Sequence, residues 1–582
     1  MSGPAPTILP LHLTGLARRF TPPQALRRAT LLVDRSGLLP AVEAALHHHT
    51  GAPREFTARA LLTGLAVHAL RLEEMHLTKI LDTLADLPDT ARRDLGLTGE
   101  ATYPMLWHAY TLLVHTLETG TLAIPHNHPH PPAGPVTGTP ARCPNQDCPH
   151  EPITITTFAG RLLDASLPPG FPLTEALAID STDYETWARR RAWTPEPDVD
   201  PDHPPVKDTA PPRRKRPPNE PGWPTAGHDG RLQHTIDPDA REGYRSGTNA
   251  SPGNVFCGHD LHLSVNARAL GGTEVPFVIT AMHLAPAGSH KGDAGIDLID
   301  QHLARHPDTR EVIADRGYSY CVPTRWALPV RARGLEAVID LHPAQRGPHP
   351  GPLAGTLAID GTLFTGAIPR PLRDLLGFPL GMRTAEKNAL RARHDRRAAY
   401  AFTPHSRPDA DGYQRFKGPA VAGRLRCPNH PRSMRLPHTR PTSNCRPGDD
   451  CACGKTLTLS PDQLAWTRQR NIWGTTTWAT DYGRRAAVES GNAEIKTHRL
   501  HMDRGFTRVL GTTKNSVLIA FALAGLNHTL LRAWHAKRDL PDPWAALTGE
   551  PDEARTNIPE PRRRARRRTT SFTALINGAP PG

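Results

Sequence analysis

The sequence predicts an α/β fold in which one mixed sheet is flanked by helices, interrupted by a β-rich insertion and preceded by a helical N-terminal domain. Two short apolar runs, at residues 176–179 and 312–314, each end in an aspartate, Asp180 and Asp315. That is the pattern of a buried strand presenting an acid at its exit. Strand period and helix period then alternate, which argues for one sheet with helices packed on it. From residue 343 to 481 the pattern changes to short β runs, loops and cysteines, as expected of an inserted domain.

Residues 1–170 form the N-terminal region, where Ala60, Leu61, Leu65, Val67 and Leu70, then Leu77, Ile80, Leu81 and Leu84, recur near the 3.6 period. Arg59, Arg71, Arg92 and Arg93 on its polar faces suit a grip on duplex DNA, and equally an ordinary solvated helix surface. His47, His48 and His49, and later His126, His128 and His130, are short polar tracts that fit metal ligands or solvated loops.

The core, residues 171–342, opens with the strand ending at Asp180. Residues 194–224 hold 11 prolines and the run Arg213-Arg214-Lys215-Arg216, so they suit neither a helix nor a central strand and read as an insertion. Residues 259–265 alternate Leu261, Leu263 and Val265 with Asp260, His262 and Ser264, and residues 275–284 supply a more buried strand. A helix from Asp293, with Ile296, Ile299 and Leu303 on one face, leads into the strand ending at Asp315; a further helix and the strand Ala337-Val338-Ile339 follow.

Within the insertion, residues 343–481, Thr356–Ile359 and Thr362–Thr365 flank Asp360-Gly361, a two-residue hairpin signal because that turn needs positive φ. Helical pattern returns over residues 482–538, through Val517, Leu518, Phe521, Leu526, Leu530 and Leu531. Residues 539–582 form a tail whose Arg562, Arg563, Arg564, Arg566, Arg567 and Arg568 suit non-specific phosphate contact.

Lys and Arg number 70 against 57 Asp and Glu in 582 residues, so a polyanion is the natural partner, nucleic acid ahead of a membrane surface. The strongly apolar run at 517–526 falls short of the roughly 20 residues that span a bilayer, so the expectation is no membrane and a cytoplasmic location. Eight cysteines bunched near histidines suggest metal binding in a reducing compartment. Cys427, His430, His438, Cys445, Cys451 and Cys453 offer enough soft ligands for one structural zinc, or stand as unpaired thiols; Cys143, Cys148 and His150 make a sparser set.

The chemistry concentrates in residues 481–496. On a helical wheel with Arg485 at zero, Glu489 falls near ~40°, Lys496 near ~20° and Tyr482 near ~60°. One face carries all four, whereas Glu494 lies about 140° from Glu489. A surface helix with an Arg485–Glu489 ion pair fits the same spacing. The spacing Tyr482-x2-Arg485-x3-Glu489-x6-Lys496 resembles the signature of the DDE transposases of bacterial cut-and-paste insertion sequences. Asp315-Arg316-Gly317-Tyr318 resembles that family's second-acid motif and residues 177–182 its first, with residues 258–263 similar to the strand between and 517–531 to the closing helix. The likeness covers roughly residues 176–534.

That resemblance implies an RNase H-like core in which Asp180, Asp315 and Glu489 hold two Mg²⁺, or Mn²⁺, while Tyr482, Arg485 and Lys496 contact DNA. It implies endonuclease cleavage at transposon ends and joining of the freed 3′-hydroxyl to target DNA, with double-stranded DNA as partner, a homodimer in the DNA complex and a nucleoid-associated cytoplasmic location. Asp183 is the second choice for first ligand, and Gly491 departs from good helix composition by about 1 kcal/mol against Ala. Trp466, Trp473 and Trp478, among Arg468 and Arg470, suit base stacking or plain packing. Two other readings stand beside this one: a catalytically silent, domesticated DNA-binding protein, and an RNase H-like nuclease that cuts without joining.

Overall fold

The computed structural model of the chain describes residues 22–46, 56–97, 99–124, 152–191, 223–245, 253–379 and 381–550. Both histidine tracts, the Cys143, Cys148 and His150 set, residues 194–222 of the proline-rich stretch and the arginine tail lie outside the described residues.

The chain begins with helices α1 (Pro22–Ser36), α2 (Leu39–Leu46), α3 (Ala58–Leu70), α4 (Leu77–Ala85), α5 (Asp89–Asp94) and α6 (Tyr103–Glu118), with α7 (Ile155–Ala165) closing the region. Helix α3 starts where the Thr57 hydroxyl accepts the N–H of Ala60, satisfying one orphan donor of its first turn. Every residue of α3 except Arg59 is buried, so it is a core helix and not a surface one. Arg59 pairs with Asp34, Arg71 with Glu73 and Asp86, and Arg92 with Asp89.

The sheet region comprises β1 (Ala176–Glu185), a small hairpin of β2 (Thr225–Ala226) and β3 (Leu232–Gln233), β4 (Arg241–Arg245), β5 (Asn254–Ala267), β6 (Ile279–Pro286), α8 (Lys291–Leu303), β7 (Glu311–Ala314), α9 (Arg316–Ser319), α10 (Ala327–Ala332) and β8 (Glu336–Ile339). Strands run in the order β4-β5-β1-β7-β8, with β6 also on β5. Strand β1 is antiparallel to β5 and parallel to β7, which is parallel to β8. The long β5 divides its far edge, its first half taking β4 and its second half β6. The sheet is therefore mixed and helices pack on it.

Strand β1 differs from expectation in length. It continues five residues past Asp180 to Glu185, paired throughout with β5, while its parallel ladder with β7 ends at Ile179 opposite Ala314. Asp180 thus leaves the parallel pairing but not the strand. The polar face of β5 is also covered: His262 Nδ1 lies 2.8 Å from the Tyr318 hydroxyl and Ser264 Oγ 2.9 Å from Thr280 Oγ1, all buried. Paired polar groups of this kind tolerate burial, which alternation alone does not reveal.

The insertion holds β9 (Pro348–Pro350), β10 (Thr356–Ile359), β11 (Thr362–Thr365), α11 (Arg370–Arg373), α12 (Thr384–Arg396), β12 (Thr403–Pro404), β13 (Gln414–Lys417) and β14 (Thr456–Leu459), forming two three-stranded sheets. The β10–β11 turn has φ of 45° at Asp360 and 74° at Gly361, as the Asp-Gly pair requires. Helix α12, of 13 residues, was not expected among β runs; it buries only Leu390 and His394, so it has no apolar stripe to read.

The insertion closes in α13 (Thr476–Tyr482), and then come a tight 3-10 turn at Gly483–Arg485, α14 (Ala486–Ala493), a wide π turn at Glu494–His498, α15 (Thr512–Ala536) and α16 (Ala545–Thr548). The single uniform helix expected across 482–496 is therefore three segments of different pitch. Helix α15 is long and apolar enough to cross a membrane, well beyond the ten-residue run picked out by sequence, but 78% of its apolar window is buried inside the fold. It packs against α3, α6, α7 and β6. One core joins Ala60 and Leu61, Phe158, Ala176 and Ala178 of β1, Leu263 of β5 and Phe521 of α15. On the opposite face of the sheet, Leu177 and Ile179 pack with Val312, Ile299 and Trp326.

Candidate active site

Strand alternation decides which side each acid takes. In β1, Ala176 and Ala178 face the core that contains Val488 of α14, and Asp180 follows them in step; in β7, Ile313 faces the same core and Asp315 follows it. Each aspartate stands one step beyond the last parallel pair, Ile179 with Ala314, Asp180 still within β1 and Asp315 just past β7. Asp315 also caps α9, its Oδ1 accepting the N–H groups of Gly317 at 2.9 Å and Tyr318 at 3.3 Å.

Helix α14 brings the third acid. Arg485 Nη1 donates to Asp180 Oδ2 at 3.1 Å, and its Nη2 pairs with Glu489 one turn on. The guanidinium therefore bridges Asp180 and Glu489, carboxylates 309 positions apart in the chain (489 less 180). Glu489 is the open member, its side chain 58% exposed against 14% for Asp180. Burial, then the charge of Asp315, push the Asp180 carboxyl above its ordinary range, with Arg485 pulling the other way.

Two residues that sequence reading passed over also face Asp180. Asn492 Nδ2 donates to Asp180 Oδ2 at 3.3 Å, while its own Oδ1 is buried without a partner. Lys291, the first residue of α8, adds a positive charge that acts on Asp180, and its ammonium lies 6.0 Å from the Tyr318 ring centroid. Asn492 sits three residues after Glu489 on the same helix, which is the only sequence signal it carried. Lys291 carried none, because its helix was read for its apolar face.

Asp183 is placed differently. Three positions after Asp180, alternation turns it away from the acid pair. Arg245 Nη2 holds it at 2.7 Å and Lys496 Nζ at 3.4 Å. Burial would raise its carboxyl, but these two cations outweigh that and hold it below the ordinary range. Lys496 thus neighbours Asp183, also donating to the Met502 carbonyl at 3.1 Å, because the π turn rotates it off the even stripe that the wheel predicted. Asp183, Glu185, Arg245, Lys496, Asp503 and Arg504 line one surface pocket.

Tyr482 stacks on Trp478, centroids 5.0 Å apart, and lies under the Arg485 guanidinium at 5.7 Å. The neighbouring Arg484 turns inward, donating to both Glu311 oxygens at 2.6 and 2.9 Å and pairing with Asp481, which Arg470 Nε holds at 2.6 Å. Glu311 begins β7, so this buried cluster fastens the α13–α14 junction to the strand that leads into Asp315. Trp473 and Trp478 are buried, their indole N–H groups donating to Asp340 Oδ1 at 2.8 Å and the Ile339 carbonyl at 3.0 Å; only Trp466 of the three is exposed.

Of the soft ligands, Cys427, Cys445, Cys451 and Cys453 gather into one cluster that could hold a structural metal such as zinc. His430 and His438 do not join it. His430 packs over Gly454 with its Nδ1 buried and unpartnered, and His438 Nδ1 lies 2.7 Å from Arg426 Nη1. No family model matches the chain, and no curated protein matches it.

Proposed function

We propose that the chain is a DDE transposase with an RNase H-like core, cutting DNA phosphodiesters at transposon ends and joining the freed 3′-hydroxyl to target DNA. The observation that carries this is the placement of Asp180 and Asp315 just past the last pair of two neighbouring parallel strands, with Arg485 pairing with both Asp180 and Glu489. Burial of Asp180, with the Asp315 charge beside it, holds its carboxyl above the ordinary range, an environment that a divalent cation relieves. The donors are hard carboxylate oxygens, with the unpartnered Asn492 Oδ1 beside them, and this set suits Mg²⁺ or Mn²⁺.

Asp180, Asp315 and Glu489 would hold two such ions, which when bound activate a water or 3′-hydroxyl at phosphorus and stabilise the departing oxygen. Arg485 and Lys291 supply cations around the acids to hold phosphates in line, and Lys496 adds a further one beside Asp183. Tyr482, stacked on Trp478, presents a firm wall under Arg485. Duplex DNA is the partner, and synapsis of two ends calls for a homodimer in the complex.

The test is incubation of the full chain and Mg²⁺ with labelled duplexes carrying the DNA that flanks its gene on both sides. Cleavage followed by joining is expected, with Asp180→Asn, Asp315→Asn and Glu489→Gln each lowering both by at least ~10³-fold while binding persists. Binding alone would return a silent DNA-binding protein, and cutting alone a nuclease. Strand breakage that survives replacement of all three acids removes the proposal.

A further inference from the structure

The geometry points to a zinc ion held by Cys427, Cys445, Cys451 and Cys453 as four thiolates, fastening the two small sheets of the insertion to each other. All four Sγ atoms lie within 4.8 Å of one another, with Cys427 to Cys451 at 3.7 Å and Cys445 to Cys453 at 3.9 Å. A tetrahedral zinc with Zn–S bonds of about 2.3 Å separates its sulfurs by about 3.8 Å. The two measured edges bracket that distance. They are far longer than a disulfide bond of about 2.0 Å, and all four cysteines are free thiols.

The surroundings are built to hold sulfur in place. Asn429 Nδ2 lies 3.5 Å from Cys451 Sγ and Thr365 Oγ1 lies 3.1 Å from Cys453 Sγ, donors of the kind that orient thiolate ligands. Asn429 also donates to the Arg446 carbonyl at 2.9 Å and accepts the Gly448 N–H at 2.9 Å, which ties the Cys427 loop to the Cys445 loop. The Cys427 N–H donates to Ser433 Oγ at 2.9 Å, closing its own knuckle. Thr365 belongs to β11, and Cys453 accepts the N–H of Ala420, just past β13, at 2.9 Å through its carbonyl. The ion would thus sit where loops from both sheets meet. Four sulfurs close the coordination sphere and select a soft metal, so the role is structural. This inference stands apart from the reaction proposed above.

Elemental mass spectrometry of the purified full chain is expected to find one zinc per chain, released as four thiols react with a mercurial. The wild-type chain refolded with Co²⁺ should show thiolate charge-transfer bands and the intense d–d bands of a tetrahedral site, a readout independent of activity and of any variant's folding. Cys427→Ser and Cys453→Ser should lose the metal, while His430→Ala and the Cys143→Ser, Cys148→Ser pair retain it. A chain that binds no zinc when refolded in excess, a cobalt spectrum without thiolate bands, or zinc that survives the two cluster substitutions and departs with Cys143 and Cys148 would each overturn the assignment.

Discussion

Asp180 carries a cost that its environment makes measurable. Its folded-state pKa is raised, so the native chain holds that proton to higher pH than the unfolded chain does. The stability it contributes is present at low pH and is lost as pH rises from the unfolded value, about 3.9, through the raised one. Asp180→Asn should therefore increase the melting temperature in metal-free buffer at neutral pH, the gain shrinking towards acid; a variant equally stable or weaker across that range would show that the carboxyl is well satisfied. Arg484 makes the opposite case. Buried with Glu311 and Asp481, it should cost about 3–5 kcal/mol when replaced by Ala, read as a lowered urea midpoint, because two interior carboxylates lose a partner. Consecutive arginines thus divide their work, one anchoring inward and the next reaching Asp180. Sequence could nominate Arg485 from its spacing to Glu489, yet Arg484 gave no comparable sign, since its partner Glu311 becomes a neighbour only through the fold.

Local elements were readable in proportion to how local their cause is. The Asp360-Gly361 hairpin formed at the expected residues because two positive-φ positions decide it. Strand β1 was cut short because residues 181–185 are polar, and only pairing with β5 extends them. Helix α14 shows a glycine chosen against propensity. A Cβ at Gly491 would lie 2.0 Å from Phe277 Cζ, so any larger residue must displace this ring. Gly491→Ala should therefore destabilise the chain by about 1–3 kcal/mol despite gaining about 1 kcal/mol in helix propensity, and adding Phe277→Leu should recover part of the loss. If Gly491→Ala alone stabilises the protein in chemical denaturation, the ring contact is not limiting. The 3-10 and π turns on either side of α14 had no sequence signal at all, and they are what separates Lys496 from the stripe shared by Arg485 and Glu489.

At the scale of the whole molecule, the first and last of the described segments are tied together by charge. Arg28 of α1 donates to Asp542 Oδ2 at 2.9 Å and Glu550 Oε2 at 2.6 Å, while Trp544 stacks on His528 of α15. Ending the chain at residue 541 should lower stability by about 3–5 kcal/mol, because Arg28 loses both carboxylates and His528 loses the Trp544 ring; an unchanged denaturation midpoint would show the clamp to be idle. The helix that gathers this core, α15, meets α3 and α7 directly: Phe521 lies edge-on to Phe158 with centroids 6.2 Å apart, and Gly525 leaves room for the Ala69 carbonyl, 2.5 Å from where a Cβ would stand. Ribosomes deliver Leu61 and Phe158 long before they deliver Phe521. Until translation has passed Ala536, those early helices present uncovered apolar surface to chaperones and proteases, and a message broken upstream yields a polypeptide unable to close its interior.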